Sequence, residues 1–190
     1  MWVSKLIYKL LKPVRFMDLL DFPKFRQRYE YDCGAKLLQS VLAYYGMEIR
    51  EELIAKEAKT NEKSGTLIKN ILKVLDKYGL KYDSKSMTIK DLKKYVSKKI
   101  PVMLLLQAWS YQNLDYSKTF ESSHWVAVIG FDKGKVIFED PYSFKLTYLT
   151  ENELDERWHG RDDNNHVNNH GLAVYGKKPE YDSKKIIHMD

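Results

Sequence analysis

The spacing of apolar residues changes partway along the chain. Leu37, Leu38, Val41, Leu42 and Tyr45 fall on one helical face, ahead of Gly46, whose left-handed backbone suits a helix stop. That spacing predicts a buried helix beginning at Cys33, with Asp32 as its capping residue. Shorter periodic runs predict helices over 51–58, over 66–78 and over 89–97, the last opened by the capping-box pair Thr88 and Asp91. Beyond Pro101 the runs become short and rich in β-formers. Strands are expected over 102–109, 124–131, 135–140, 145–149 and 172–175. Helices first and strands afterwards indicate an α+β arrangement, a helical lobe and an antiparallel sheet lobe meeting at a cleft.

One hairpin carries a positional consequence. Residues 124–131 and 135–140 flank Asp132, Lys133 and Gly134. With those three as the loop, paired positions sum to 266, so His124 faces Tyr142 and Val126 faces Asp140. His124 and Asp140 are then diagonal neighbours on one face, whereas a two-residue loop sets them on opposite faces.

A length of 190 residues suits one domain with one sizeable core. The boundaries read as a basic extension over 1–17, the main domain over 18–178 and a tail over 179–190. In the extension Lys5, Lys9, Lys12 and Arg15 alternate with Trp2, Leu6, Ile7, Leu10, Leu11 and Val14. This describes an amphipathic helix, either docked on the core or lying on an anionic membrane surface through residues 1–16. It lacks the apolar core and cleavage site of a secretory signal. A cytoplasmic location is therefore expected, with peripheral contact at the inner membrane surface as the variant. No apolar run is long enough to span a bilayer. The net charge of +6 is spread out; its densest group lies in 81–99, where Lys90, Lys93, Lys94, Lys98 and Lys99 decorate a helix face, so a nucleic-acid partner rests on charge alone and is not expected.

The single cysteine excludes an internal disulfide and a multi-thiolate zinc site. A thiol in the first turn of a helix sits where the dipole and unpaired amides favour negative charge. The alternative is a small buried hydrophobe. Partners for chemistry are present: His124 as base, Asp140 to orient it, and Gln27, six positions before Cys33, to share an oxyanion with the Cys33 amide. Gly34 and Ala35 are expected to leave the approach to the sulfur open. Trp109 and Trp125 read as core residues, and 110–123 either as a loop that walls the cleft or as a plain decorated connection. His159, His166 and His170 lie among Asn and Asp and read as a hydrophilic loop, with adventitious metal capture or a substrate-facing flap as the alternatives.

The segments Gln27-Arg-Tyr-Glu-Tyr-Asp32-Cys33-Gly34-Ala35, His124-Trp-Val-Ala-Val and Asp140-Pro141 together resemble the bacteriocin-processing, double-glycine-leader cysteine peptidases and their stand-alone relatives in the papain-like clan. The likeness covers about Phe25 to Tyr175. It implies a papain-like fold, a peptide substrate cut after a Gly-Gly pair, and the roles just given for Cys33, His124, Asp140 and Gln27. It also implies a late helix, matched by 154–158 behind the capping pair Thr150 and Glu153. This chemistry requires no metal or organic cofactor. Leader peptidases of this kind are usually fused to an export transporter, and this sequence has neither a membrane span nor a Gly-rich phosphate loop. A papain-like transferase or amidase, or a peptide-binding module that kept the fold, would share the same motifs.

Overall fold

The computed structural model describes residues 19–189, so the expected amino-terminal helix lies outside the described residues. Three helices come first: α1 (Cys33–Tyr44), α2 (Glu51–Glu57) and α3 (Ile68–Lys77). Strand β1 (Lys81–Ser86) and helix α4 (Ile89–Val96) follow, then β2 (Val102–Gln107), β3 (Ser123–Asp132), β4 (Lys135–Glu139) and β5 (Thr147–Thr150). Helix α5 (Glu151–Arg157), the pair β6 (His159–Asp162) and β7 (Asn165–Asn168), and β8 (His170–Tyr175) complete the order. The main sheet is antiparallel in the order β1-β8-β2-β3-β4-β5.

Side chains alternate across that sheet, and each face has its own cover. Met103, Leu105, Trp125, Ala127 and Ile129 pack under Leu37, Leu38, Val41 and Leu42 of α1, with Ile54 of α2 and Ile71 and Leu75 of α3 beside them. Val102, Leu104, Leu106, Val126 and Val128 face the other way, against Leu92 and Val96 of α4 and Leu154 of α5. Burial on both faces explains why β2 is apolar at almost every position. The expected single helical lobe is therefore α1–α3, while α4 and α5 cover the opposite face. Both capping boxes form, at Thr88 with Asp91 and at Thr150 with Glu153.

One strand was not expected and two expectations are corrected. Residues 81–86, assigned to no element by the spacing, form β1, an edge strand held by β8 that needs no apolar alternation. The His-rich segment is a β-hairpin, because Asp163, at φ 60°, turns β6 into β7. The loop between β3 and β4 is two residues, Lys133 and Gly134, both with positive φ, as a type I′ turn requires. Pairs next to it sum to 267, as in Asp132↔Lys135. A bulge at Ile129 then shifts the register, and Val128↔Phe138 and Ala127↔Glu139 sum to 266. The bulge thus restores, at the far end of the hairpin, the alignment expected for a three-residue loop.

Candidate active site

Cys33 opens α1, where its N–H has no intrahelical acceptor. It is 6% exposed and lines a groove of about 760 Å³ together with Tyr31, Thr66, Phe120, Ser123 and Trp125. Gly34 lets the helix start lie this deep: a Cβ there would come within 2.7 Å of Thr66 Cβ and 2.8 Å of Trp125 Cδ1. Gly34 and Ala35 are buried in that packing, so the expectation that they keep the approach to the sulfur clear is replaced by a packing role.

The hairpin brings His124 and Asp140 together. His124 Nε2 and Asp140 Oδ1 are 2.7 Å apart, and both residues are buried. With Nε2–H given to the carboxylate, Nδ1 is left for the Cys33 thiol, whose interaction with the imidazole helps to raise the His124 pKa. Burial works against charge on the imidazole, yet the bonds to Asp140 and Cys33 and their charges outweigh it, and the His124 pKa is pushed up to about 9. Asp140 accepts three further hydrogen bonds, from Tyr142 N at 2.9 Å, Trp109 Nε1 at 2.9 Å and Thr147 Oγ1 at 3.3 Å. Burial raises its pKa, but His124 and these donors win, holding it below the usual carboxylate range.

Gln27 lines a second hollow, of about 320 Å³, with His124, Trp109 and Tyr142. Glu30, Glu121 and Ser123 border both hollows, so the two adjoin. The Gln27 carboxamide donates one N–H to Tyr29 O at 2.9 Å and forms no hydrogen bond with Cys33. Its second N–H is uncommitted. Its backbone N–H donates to Pro141 O at 2.9 Å, and Arg26 pairs with the buried Glu139, so the segment ahead of Cys33 is tied to the strand that leads to Asp140.

Trp109, expected in the core, is 43% exposed. Strand β2 stops at Gln107, and a left-handed backbone at Trp109 (φ 59°) turns its indole over Asp140, stacked on Tyr142 at 4.7 Å. Trp125 is core as expected, with its indole N–H on Thr66 O. The 110–123 loop borders both hollows, and Tyr111 reaches across to Glu30 with its hydroxyl at 3.1 Å. His159 and His166 flank the ring of Phe120, and among the described residues no cluster of three or more His, Cys, Asp or Glu could hold a metal ion. No helix among the described residues is long and apolar enough to cross a membrane.

No curated protein is similar to the chain at a significant level. Solved structures are. The peptidase domain of Streptococcus ComA, a bifunctional ABC transporter of a quorum-sensing pathway, is 21% identical and superposes with a TM-score of 0.62 over 81% of this chain and 98% of that one. A double-glycine-motif protease from an AMS/PCAT transporter, solved with its leader peptide, is also 21% identical, with a TM-score of 0.62 over 85% and 94%. A C39-like peptidase from Bacillus anthracis is 17% identical, with a TM-score of 0.66 over 86% and 98%. These likenesses give the papain-like fold. The Peptidase_C39 like family matches residues 19–164, well over half of the 190, and the chain belongs to that family.

Proposed function

We propose that this chain is a cysteine peptidase working through an acyl-enzyme. One observation carries the reading: His124 is buried between the only thiol and a carboxylate that accepts four hydrogen bonds. In the proposed reaction Nδ1 of His124 holds the thiol proton as the Cys33 sulfur bonds to the carbonyl carbon of a peptide, and the oxygen takes up the electron pair. The Cys33 N–H and the second N–H of Gln27 hold that oxyanion. The C–N bond breaks as His124 gives its Nδ1 proton to the leaving amine. Water, deprotonated by His124, then opens the thioester and restores the thiol. Asp140 stays ionised throughout and fixes the imidazole with Nε2 as the protonated donor.

The finer reading is a leader peptide cut after a Gly-Gly pair. It is supported by the resemblance at Gln27 to Ala35 and by the leader-bound protease of the same fold. Incubation with a synthetic peptide spanning a Gly-Gly pair is expected to yield one cut, read by mass spectrometry, that disappears in Cys33→Ala. A cut that persists in Cys33→Ala, or no cut, overturns the leader-peptide reading. Iodoacetamide labelling near neutral pH tests the chemistry without a substrate: it is expected to be fast in the wild type and slow in His124→Ala. Equal rates in both remove the Cys33–His124 pair as a reactive unit.

A further inference from the structure

The loop from Gln27 to Cys33 is closed by a carboxylate that this chemistry leaves unused. Asp32 stands at the capping position of α1, yet its side chain makes no bond to the helix. Its Oδ2 instead accepts the backbone N–H groups of Arg28 and Tyr29, each at 3.1 Å, the two amides that follow Gln27. Tyr29 lends its carbonyl both to Gln27 Nε2 at 2.9 Å and to Asp32 N at 3.4 Å. A hydrogen-bonded ring therefore runs from Gln27 through Tyr29 to Asp32, and the next residue is Cys33.

Asp32 is only 3% exposed, and its Oδ1 is buried with no donor, close to the Glu51 carboxyl, whose pKa burial raises and Asp32 helps to push up. Lys36, one turn along α1, is committed to Glu51. A buried carboxylate with one oxygen unanswered is a poor device for stability alone. Its answered oxygen is spent wholly on the loop that separates the two proposed oxyanion donors. Such donors lower a barrier only when both already point at one place, and a loop free to move would lose that.

We propose that Asp32 is a positioning residue that fixes the Gln27 carboxamide relative to the Cys33 N–H. The proposal rests on the peptidase reading above. It acts through Gln27, so removing Asp32 should matter only while Gln27 is present.

The test uses the full chain and p-nitrophenyl acetate, which acylates a reactive thiol and releases coloured p-nitrophenolate as a burst. The acylation rate is expected to fall roughly 10²-fold in Gln27→Ala, the scale of losing one oxyanion donor, with a comparable fall in Asp32→Ala. Asp32→Asn, whose carbonyl oxygen still accepts both amides, is expected to stay close to wild type. The Gln27→Ala/Asp32→Ala double variant is expected to be no slower than Gln27→Ala. If Asp32→Ala does not fold, Asp32→Ser, too short to reach both amides, takes its place with the same expectations. Asp32→Ala as fast as wild type, or a double variant slowed by the product of the two single effects, overturns the proposal and leaves the peptidase reading standing. Gln27→Ala as fast as wild type, or a wild type without a Cys33-dependent burst, overturns the reading itself and the proposal with it.

Discussion

His124 is the residue whose charge state has the widest consequences. It is enclosed by a carboxylate and a thiol, and the fold binds its proton more tightly than the unfolded chain does, pushing the pKa from 6.5 up to about 9. A group raised in this way contributes stability that is fully present below about pH 6.5 and is lost as pH rises through about 9. Asp140 runs the other way: its lowered pKa gives stability above the usual carboxylate range that is lost as pH falls through the folded value. The melting temperature is therefore expected to decline between pH 6.5 and 9 at constant ionic strength. His124→Ala should flatten that decline, and Cys33→Ala, which removes one of the contacts holding the proton, should move it to lower pH. Calorimetry that shows the same slope in wild type and His124→Ala would sink the assignment. Trp109 marks the limit of what residue type discloses. An indole after an apolar strand reads as core, and only the strand's end at Gln107 and the left-handed turn at Trp109 send it out over Asp140.

At the scale of elements, the β3–β4 hairpin shows how a correct alignment can come from an incorrect loop. The apolar run, the Gly and the flanking polar residues announce a hairpin, and the sum of 266 holds at Ala127↔Glu139. The turn itself is one residue shorter, and the bulge at Ile129 compensates. Nothing in the string Val126-Ala-Val-Ile-Gly130 distinguishes a bulged isoleucine from a regular one, because the choice is made by packing and by the partner strand. Helix α1 was legible because its apolar face and its glycine stop are local. The β6–β7 hairpin was not, since Asn and Asp suit a turn and an open loop alike. Lys133 now stands at φ 46° in the first central position of a type I′ turn, a conformation that Asn tolerates better than Lys. Lys133→Asn is expected to raise the urea midpoint, by about 0.5–1 kcal/mol in stability, while Cys33 labelling stays unchanged. A lower midpoint would mean that the Lys133 side chain matters more than its backbone.

The whole molecule depends on two halves of the chain meeting at the cleft, and a buried ion pair joins them. Arg26 lies ahead of the Cys33 helix and Glu139 immediately precedes Asp140, so their contact spans 113 positions, a distance at which no local pattern betrays a partner. Glu139 is 1% exposed, and burial pushes its pKa up although Arg26 pulls it down. A raised folded value means that ionised Glu139 counts against the fold, so its contribution is lost as pH rises through that value. Arg26→Met removes the opposing charge and lifts the value further. The expected result is a loss of about 3–5 kcal/mol at pH 7, the usual scale for stranding one member of a buried pair. Part of that loss should return as pH is lowered from 7 to 5, because the Glu139 carboxyl, with its pKa raised, is then more often protonated. Adding Glu139→Gln to Arg26→Met should recover stability at pH 7 by removing the stranded charge. Gln27 follows Arg26 and Asp140 follows Glu139, so the single variant should also slow acylation of Cys33, through misalignment of groups it does not touch. Urea unfolding at the two pH values separates the effects: an Arg26→Met loss that is the same at pH 5 and pH 7 would show that packing, rather than the charge on Glu139, holds the halves together.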